Sequence, residues 1–172
     1  MKKYPAPLII LHWLTVLLVA LVAFMGYRLE DVEFSAENFV YFRNHALAGM
    51  LIFLVTLVRM FFKRKYKEQL PTLNYYSDLH KMTVNGVHFL IYLMLLLIPL
   101  TGFINVYQTG AFGFCFGKPF PDGAQLSEFW HETHEFFIKI LFVSVAAHVG
   151  GVFAYSFKNK EKLLKRMCLF SK

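Results

Sequence analysis

The sequence predicts an all-α membrane protein, a four-transmembrane-helix bundle with both termini cytoplasmic, and three observations carry that prediction. Of the 172 residues 57% are hydrophobic and 18% aromatic, and the mean hydropathy is +0.47, a composition that soluble domains do not have. Four apolar stretches, at about 7–26, 46–62, 84–104 and 136–157, approach the roughly 20 helical residues that cross a hydrocarbon core of about 30 Å. The charges between them alternate in sign. Lys2 and Lys3 precede the first stretch, and Arg59, Lys63, Arg64, Lys65, Lys67 and Lys81 outnumber Glu68 and Asp78 between the second and third. The tail from residue 156 sets six basic residues against Glu161, whereas segments 27–44 and 105–135 are net acidic. Basic residues collect on the cytoplasmic side of bacterial membranes, so the termini and the middle loop are expected there. The net charge of +7 is thereby explained by membrane insertion, and no nucleic-acid partner is needed. The chain is read as one domain, 1–172.

The first stretch, PLIILHWLTVLLVALVAFMG, follows Met-Lys-Lys as a signal peptide would, yet no small-x-small cleavage site closes it, and a mature span is expected. It places His12 roughly 8 Å below the inner surface by helical rise, with Trp13 in the aromatic belt. A lone histidine there is as readily a hydrogen-bonded packing residue as a ligand. The acidic loop after it is a connector.

The second stretch opens at His45, near the outer surface, in HALAGMLIFLVTLVRMFF. Gly49 lies one turn below His45 on nearly the same face, where a large side chain would collide with a flat ligand; close helix packing through small residues competes with that reading. Arg59, near the inner end, is expected to snorkel to the headgroups, with a haem propionate as a second partner. The basic inner loop contains Pro71 and reads as an irregular surface segment. His80 is expected to be solvent-exposed there, without a role.

The third stretch carries His88 near the inner surface, then FLIYLMLLLIPLTGFINVY, where Pro99 and Gly102 should kink or loosen the outer half. The following loop, rich in Gly, Pro and Phe, favours turns and an aromatic cap on the membrane surface. The fourth stretch holds His134 and His148. Fourteen residues separate them, about 21 Å of rise and a return to within about 40° of the same face, so one helix can hold two cofactors at different depths. His131 lies about 100° off that face relative to His148. Lys139 is out of place in lipid and should either face the bundle interior or snorkel outward. Small residues around His148 let a porphyrin or another helix approach.

Depth sorts the histidines into an outer layer, His45 and His134, and an inner layer, His12, His88 and His148, in which three residues compete for one site. Intramembrane ionisable residues are costly and usually mark function. Neutral imidazole is a good ligand for iron, copper or zinc, and these layers lack the carboxylates or thiolates that would complete a zinc or di-iron site. Flat cofactors held by one histidine above and one below fit best, which points to two haem b groups. With both axial positions filled, such groups carry electrons rather than bind oxygen. Cys115 and Cys168 fall on opposite sides of the membrane, and no C-x-x-C-H attaches a haem covalently.

These residues resemble the prokaryotic cytochrome b561 family of four-helix, di-haem membrane proteins. The resemblance runs along nearly the whole chain: HWL in the first span, HALAG through LVRMFFKRKY in the second, HFLIYLMLLLIPLTGF in the third, WHE with the His134 to His148 spacing in the fourth, and the closing LLKRM. It implies His12 and His148 on the inner haem iron and His45 and His134 on the outer one. It leaves His88, a histidine of the family pattern not counted as a ligand, to line the inner haem or a quinone pocket, with Gly49 and Arg59 as further lining. It further implies a multi-pass protein of the bacterial inner membrane, in contact with lipid, passing electrons between the outer face and the quinone pool. Some similar proteins oxidise superoxide outside and reduce ubiquinone inside. An anion would gain from positive charge near the outer haem, and here the outer loops are acidic, leaving Arg28, Arg43 and Lys118 as candidates. The leading expectation is therefore a quinone-linked oxidoreductase of the superoxide:quinone type. The alternatives are a haem b anchor subunit relaying electrons from a separate dehydrogenase or hydrogenase partner, and a non-redox helical bundle whose histidines only bond between helices.

Overall fold

The computed structural model describes residues 2–160 and 163–169; Glu161, Lys162 and Lys172, which enter the charge of the tail, lie outside them. The described residues form four long helices, α1 (Ala6–Tyr27), α2 (Phe39–Lys65), α3 (Asp78–Gln108) and α4 (Glu128–Asn159), and a short α5 (Leu163–Arg166). All four long helices are long and apolar enough to cross a membrane. A chain in hydrocarbon must satisfy its backbone polar groups internally, and continuous helices do this.

The helices outrun the apolar stretches, most clearly at the starts of α2, α3 and α4, because backbone bonding continues beyond the apolar sequence, and at α3 a side chain caps it. Ser77 Oγ accepts from the His80 backbone N–H at 3.1 Å to start α3. Lys63, Arg64 and Lys65 occupy the last turn of α2, where cations complement the helix dipole. Helix α3 continues through Pro99 to Gln108.

The helices run up and down, so both termini and the α2–α3 connection share one end, the termini end. There the Tyr4 backbone N–H donates to the Arg166 carbonyl at 3.1 Å, Trp13 Nε1–H to the Met167 carbonyl at 2.8 Å, and Arg166 to the Thr72 carbonyl at 2.9 Å. Trp13 thus ties the tail to α1. His80, expected in an exposed loop, sits in the first turn of α3 and stacks on Tyr76 and Tyr155, at ring distances of 4.9 and 6.2 Å.

At the opposite, loop end, the expected aromatic cap forms. Phe39, Ala46, Val106 and Ala111 are buried together, with Phe34, Phe112, Phe120 and Leu126 packed on them. A 3₁₀ turn, Ala111–Phe116, carries part of the cap between Gly110 and Gly117, at φ 74° and 80°, a region that glycine enters without steric cost. Buried Asn105 clamps α3 to the start of α4: Oδ1 accepts from the Ser127 N–H at 2.7 Å, and Nδ2 donates to the Ser127 carbonyl at 3.3 Å.

Mid-bundle, Ile52, Met94, Leu95 and Leu141 form a second buried cluster. Helix α3 packs along both α2 and α4, and α2 along α1, whereas α1 and α4 have no comparable backbone contact. Only Leu141, Ser144 and Tyr155 are buried on α4. Large apolar side chains such as Leu17, Phe24 and Phe153 face outward, as lipid contact requires.

Candidate functional site

At the loop end, α2 and α4 each present one half-buried histidine, and the rings of His45 and His134 lie 6.3 Å apart with planes at 74°. His134 Nδ1–H donates to the Ile98 carbonyl at 2.9 Å, and the Thr101 hydroxyl lies 3.1 Å from the same nitrogen. With the proton on Nδ1, the Nε2 lone pair is left to an external partner, and the ring orientation is fixed from behind, as in metal-binding histidines. The Val22 carbonyl on α1 lies beside the His45 ring as an acceptor, off the geometry of a full hydrogen bond to the buried Nδ1.

Two glycines make this approach possible. A Cβ on Gly26 would stand 3.0 Å from His45 Cε1, and one on Gly102 would stand 3.0 Å from His134 Cε1. Any larger residue at either position would push a ring aside. Gly49, expected to lie beneath a flat ligand, instead packs toward Pro99, whose Cβ is 3.8 Å from where a glycine Cβ would be. It lies where α2 and α3 approach.

At the termini end, α1 and α4 face one another across the open side of the bundle, with the rings of His12 and His148 6.5 Å apart and planes at 66°. His88 comes within 4.9 Å of His148, ring centre to ring centre. Its Nδ1–H donates to the Val84 carbonyl one turn back, at 2.7 Å. Arg59 does not reach for the headgroups. Its guanidinium donates to His12 Nδ1 at 2.9 Å and lies 5.4 Å from the Tyr92 ring centre; Lys63 Nζ shares that ring at 4.9 Å. Burial pushes the Tyr4 phenol, just ahead of α1, above the usual tyrosine range, while the Arg166 and Arg59 charges oppose that; it remains a neutral hydroxyl.

Three further ionisable residues of α4 form a cluster of their own beside His134. His131 and Lys139 flank Glu135 at 3.2 and 3.5 Å, and the Lys139 side chain is 75% exposed, so the lysine turns outward. Sequence reasoning placed the five half-buried histidines at two levels, and the structure brings them together across helices as two pairs plus His88. It missed Gly26 and Thr101, and read Gly102 only as a helix loosener. Their signal was the presence of small residues at the level of His45 and His134, and its meaning depends on which way each helix is turned.

Two imidazoles on opposite sides of one metal, each bonded at about 2 Å, put their ring centres about 6.3 Å apart. Both cross-helix pairs have that separation, and the 4.9 Å between His88 and His148 is too short for it. Among the described residues no group of three or more His, Cys, Asp or Glu side chains is placed to hold a metal ion. Each pair is therefore spaced for one metal between its rings, with an equatorial plane for a flat ligand to supply.

A family model described as prokaryotic cytochrome b561 matches residues 3–169. The chain is 24% identical over 173 residues to cytochrome b561 homolog 1 of Escherichia coli (strain K12), with 97% of each chain covered. No solved structure matches it. With nearly its whole length matched and four membrane-crossing helices, the chain belongs to the prokaryotic cytochrome b561 family, which points to electron transfer on haem b in a membrane.

Proposed function

We propose that this protein is a di-haem b electron carrier of the bacterial inner membrane, with its termini in the cytoplasm, passing electrons from the outer face to the quinone pool. The observation that carries this reading is the pair of cross-helix imidazole separations, 6.5 Å for His12–His148 and 6.3 Å for His45–His134. Both match the span of one axially coordinated metal, at two levels of α4. The residues fit haem b in other respects: the Val22 carbonyl on α1 lies beside the His45 ring, the His134 tautomer leaves Nε2 free, and α1 and α4 stand apart where a porphyrin would enter.

Haem b, when bound, supplies a one-electron iron couple at each level. His12 and His148 would hold the inner group and His45 and His134 the outer one, and two imidazoles on each would leave dioxygen no place to bind. His88 lines the inner site. Its Nδ1–H is engaged with the Val84 carbonyl, so Nε2 presents a lone pair that can accept from a quinol hydroxyl, the product of quinone reduction at the inner site.

The donor most consistent with this arrangement is superoxide. Two superoxide ions give up one electron each and leave as dioxygen; two electrons and two cytoplasmic protons convert one ubiquinone to ubiquinol. Arg43 stands at the loop end beside Cys115, 3.8 Å from its Sγ, and supplies local positive charge in an otherwise acidic loop pair. An anchor-subunit role draws on a different observation, the exposed Glu135–Lys139 pair on α4, which a partner helix would solvate and lipid would not.

A pyridine haemochrome assay on the purified protein tests the reading, with two protohaems per chain expected. One per chain would remove the four-ligand assignment, and none would end the redox function. Rapid reduction by superoxide, then reoxidation by a soluble quinone, is expected of the enzyme. Failure of the first step together with co-purifying chains would favour the subunit.

A further inference from the structure

We infer that Arg59 and Lys63 form a carboxylate-binding site at the termini end, and that Arg59 exchanges His12 for a carboxylate of the cofactor bound there, favouring reduction of the inner group. The inference rests on the proposed haem reading and adds to it how the inner site is loaded and biased.

The guanidinium has five donors and no acceptor. At 2.9 Å from His12 Nδ1, it requires that nitrogen to present its lone pair, which puts the proton of the neutral ring on Nε2. A ring that binds metal through Nε2 needs its proton on Nδ1, where it would face Arg59 donor to donor. The two arrangements exclude each other, so Arg59 must leave His12 when the inner site is filled.

Its alternative lies beside it. Lys63, one turn along α2, shares the face of Tyr92 with Arg59, and two cations one turn apart repel each other. Among the described residues the salt bridges are those of Glu135 with His131 and Lys139, on the other half of α4, and neither Arg59 nor Lys63 has a carboxylate. Arg59 is partly buried, and a partly buried cation without a counter-ion is costly; Lys63, exposed beside it, adds a second positive charge. Haem b carries two carboxylates, and a planar guanidinium matches a carboxylate with two parallel hydrogen bonds. Once engaged, Arg59 offsets carboxylate charge that would otherwise stabilise the oxidised iron. Arg59 is thus a positioning residue that acts through the cofactor's edge.

The test uses the haem-loaded His45→Ala protein, in which a single, inner couple is expected, titrated potentiometrically through its haem absorption band. Arg59→Gln should lower the equilibrium constant for reduction of that couple at least tenfold, about 59 mV for one electron, and Arg59→Lys should recover most of the loss. Protohaem dimethyl ester, reconstituted into the otherwise unchanged apoprotein, should reproduce the Arg59→Gln shift, and adding Arg59→Gln should then shift it little further. If Arg59→Gln expels the inner haem, the ester arm decides: weaker retention of the ester than of protohaem supports the exchange. An unchanged couple in Arg59→Gln overturns it. Equal behaviour of ester and protohaem overturns it too, leaving Arg59 to an anion such as a lipid phosphate. A His45→Ala protein holding no haem, or still two, would instead contradict the haem assignment.

Discussion

The two histidine pairs have nearly the same ring separation but are built from opposite materials. At the loop end the rings of His45 and His134 are placed by neutral contacts: a backbone carbonyl, a threonine hydroxyl and two glycines. At the termini end His12 is held by a charge, and a third histidine crowds His148. The comparison separates two ways of ordering an imidazole. Backbone and packing fix a ring whatever occupies the site; a guanidinium fixes it only until something else competes for the guanidinium. On the proposed assignment the loop-end pair is ordered before its ligand arrives, whereas His12 must exchange its partner on loading.

Removing ligands breaks the comparison most strongly. His134→Ala should leave one protohaem per chain, the inner one, and His148→Ala should leave the outer one, both read by haemochrome stoichiometry and haem spectra. Within the inner cluster, His12→Ala should cost a haem while His88→Ala retains two. Equal losses from the two would show that the 4.9 Å contact hides a second ligand. Next in size is Gly102→Val. Its Cβ meets His134 at 3.0 Å, and overpacking of about 1–3 kcal/mol should lower outer-haem occupancy roughly tenfold or more, leaving the inner haem in place. Smallest is Thr101→Val, which removes a hydroxyl from behind His134 while the Ile98 carbonyl remains. It should weaken outer-haem retention by about tenfold at most, the lower edge of supporting-shell effects, measured by haem transfer to an apo-acceptor.

The helices and the two levels of histidines were legible in the sequence because both follow from rise per residue. Apolar runs set the spans, and fourteen residues between His134 and His148 set their depth. What could not be read depends on how each helix is turned about its own axis, which packing decides. Arg59 has the reach to snorkel, yet α2 is rotated so that it meets His12 and Tyr92. Gly49 shares a face with His45 by spacing, but α3 covers it through Pro99, and the glycines against the rings come from α1 and α3. His80, in a polar stretch, was read as loop although Ser77 and Asp78 carry a helix-start signal; what no local signal gives is that Tyr155, 75 residues on, stacks upon it.

Both pairs draw one member from α4, the last long helix of the chain. On the proposed assignment, a chain with only α1–α3 in the membrane owns one ligand for each cofactor and grips each from one side alone. Two-sided ligation at either level must then wait for α4 to insert, so a chain truncated before α4 should retain less haem at both levels than one that has it. The fourth helix makes cofactor capture a late checkpoint in the protein's biogenesis.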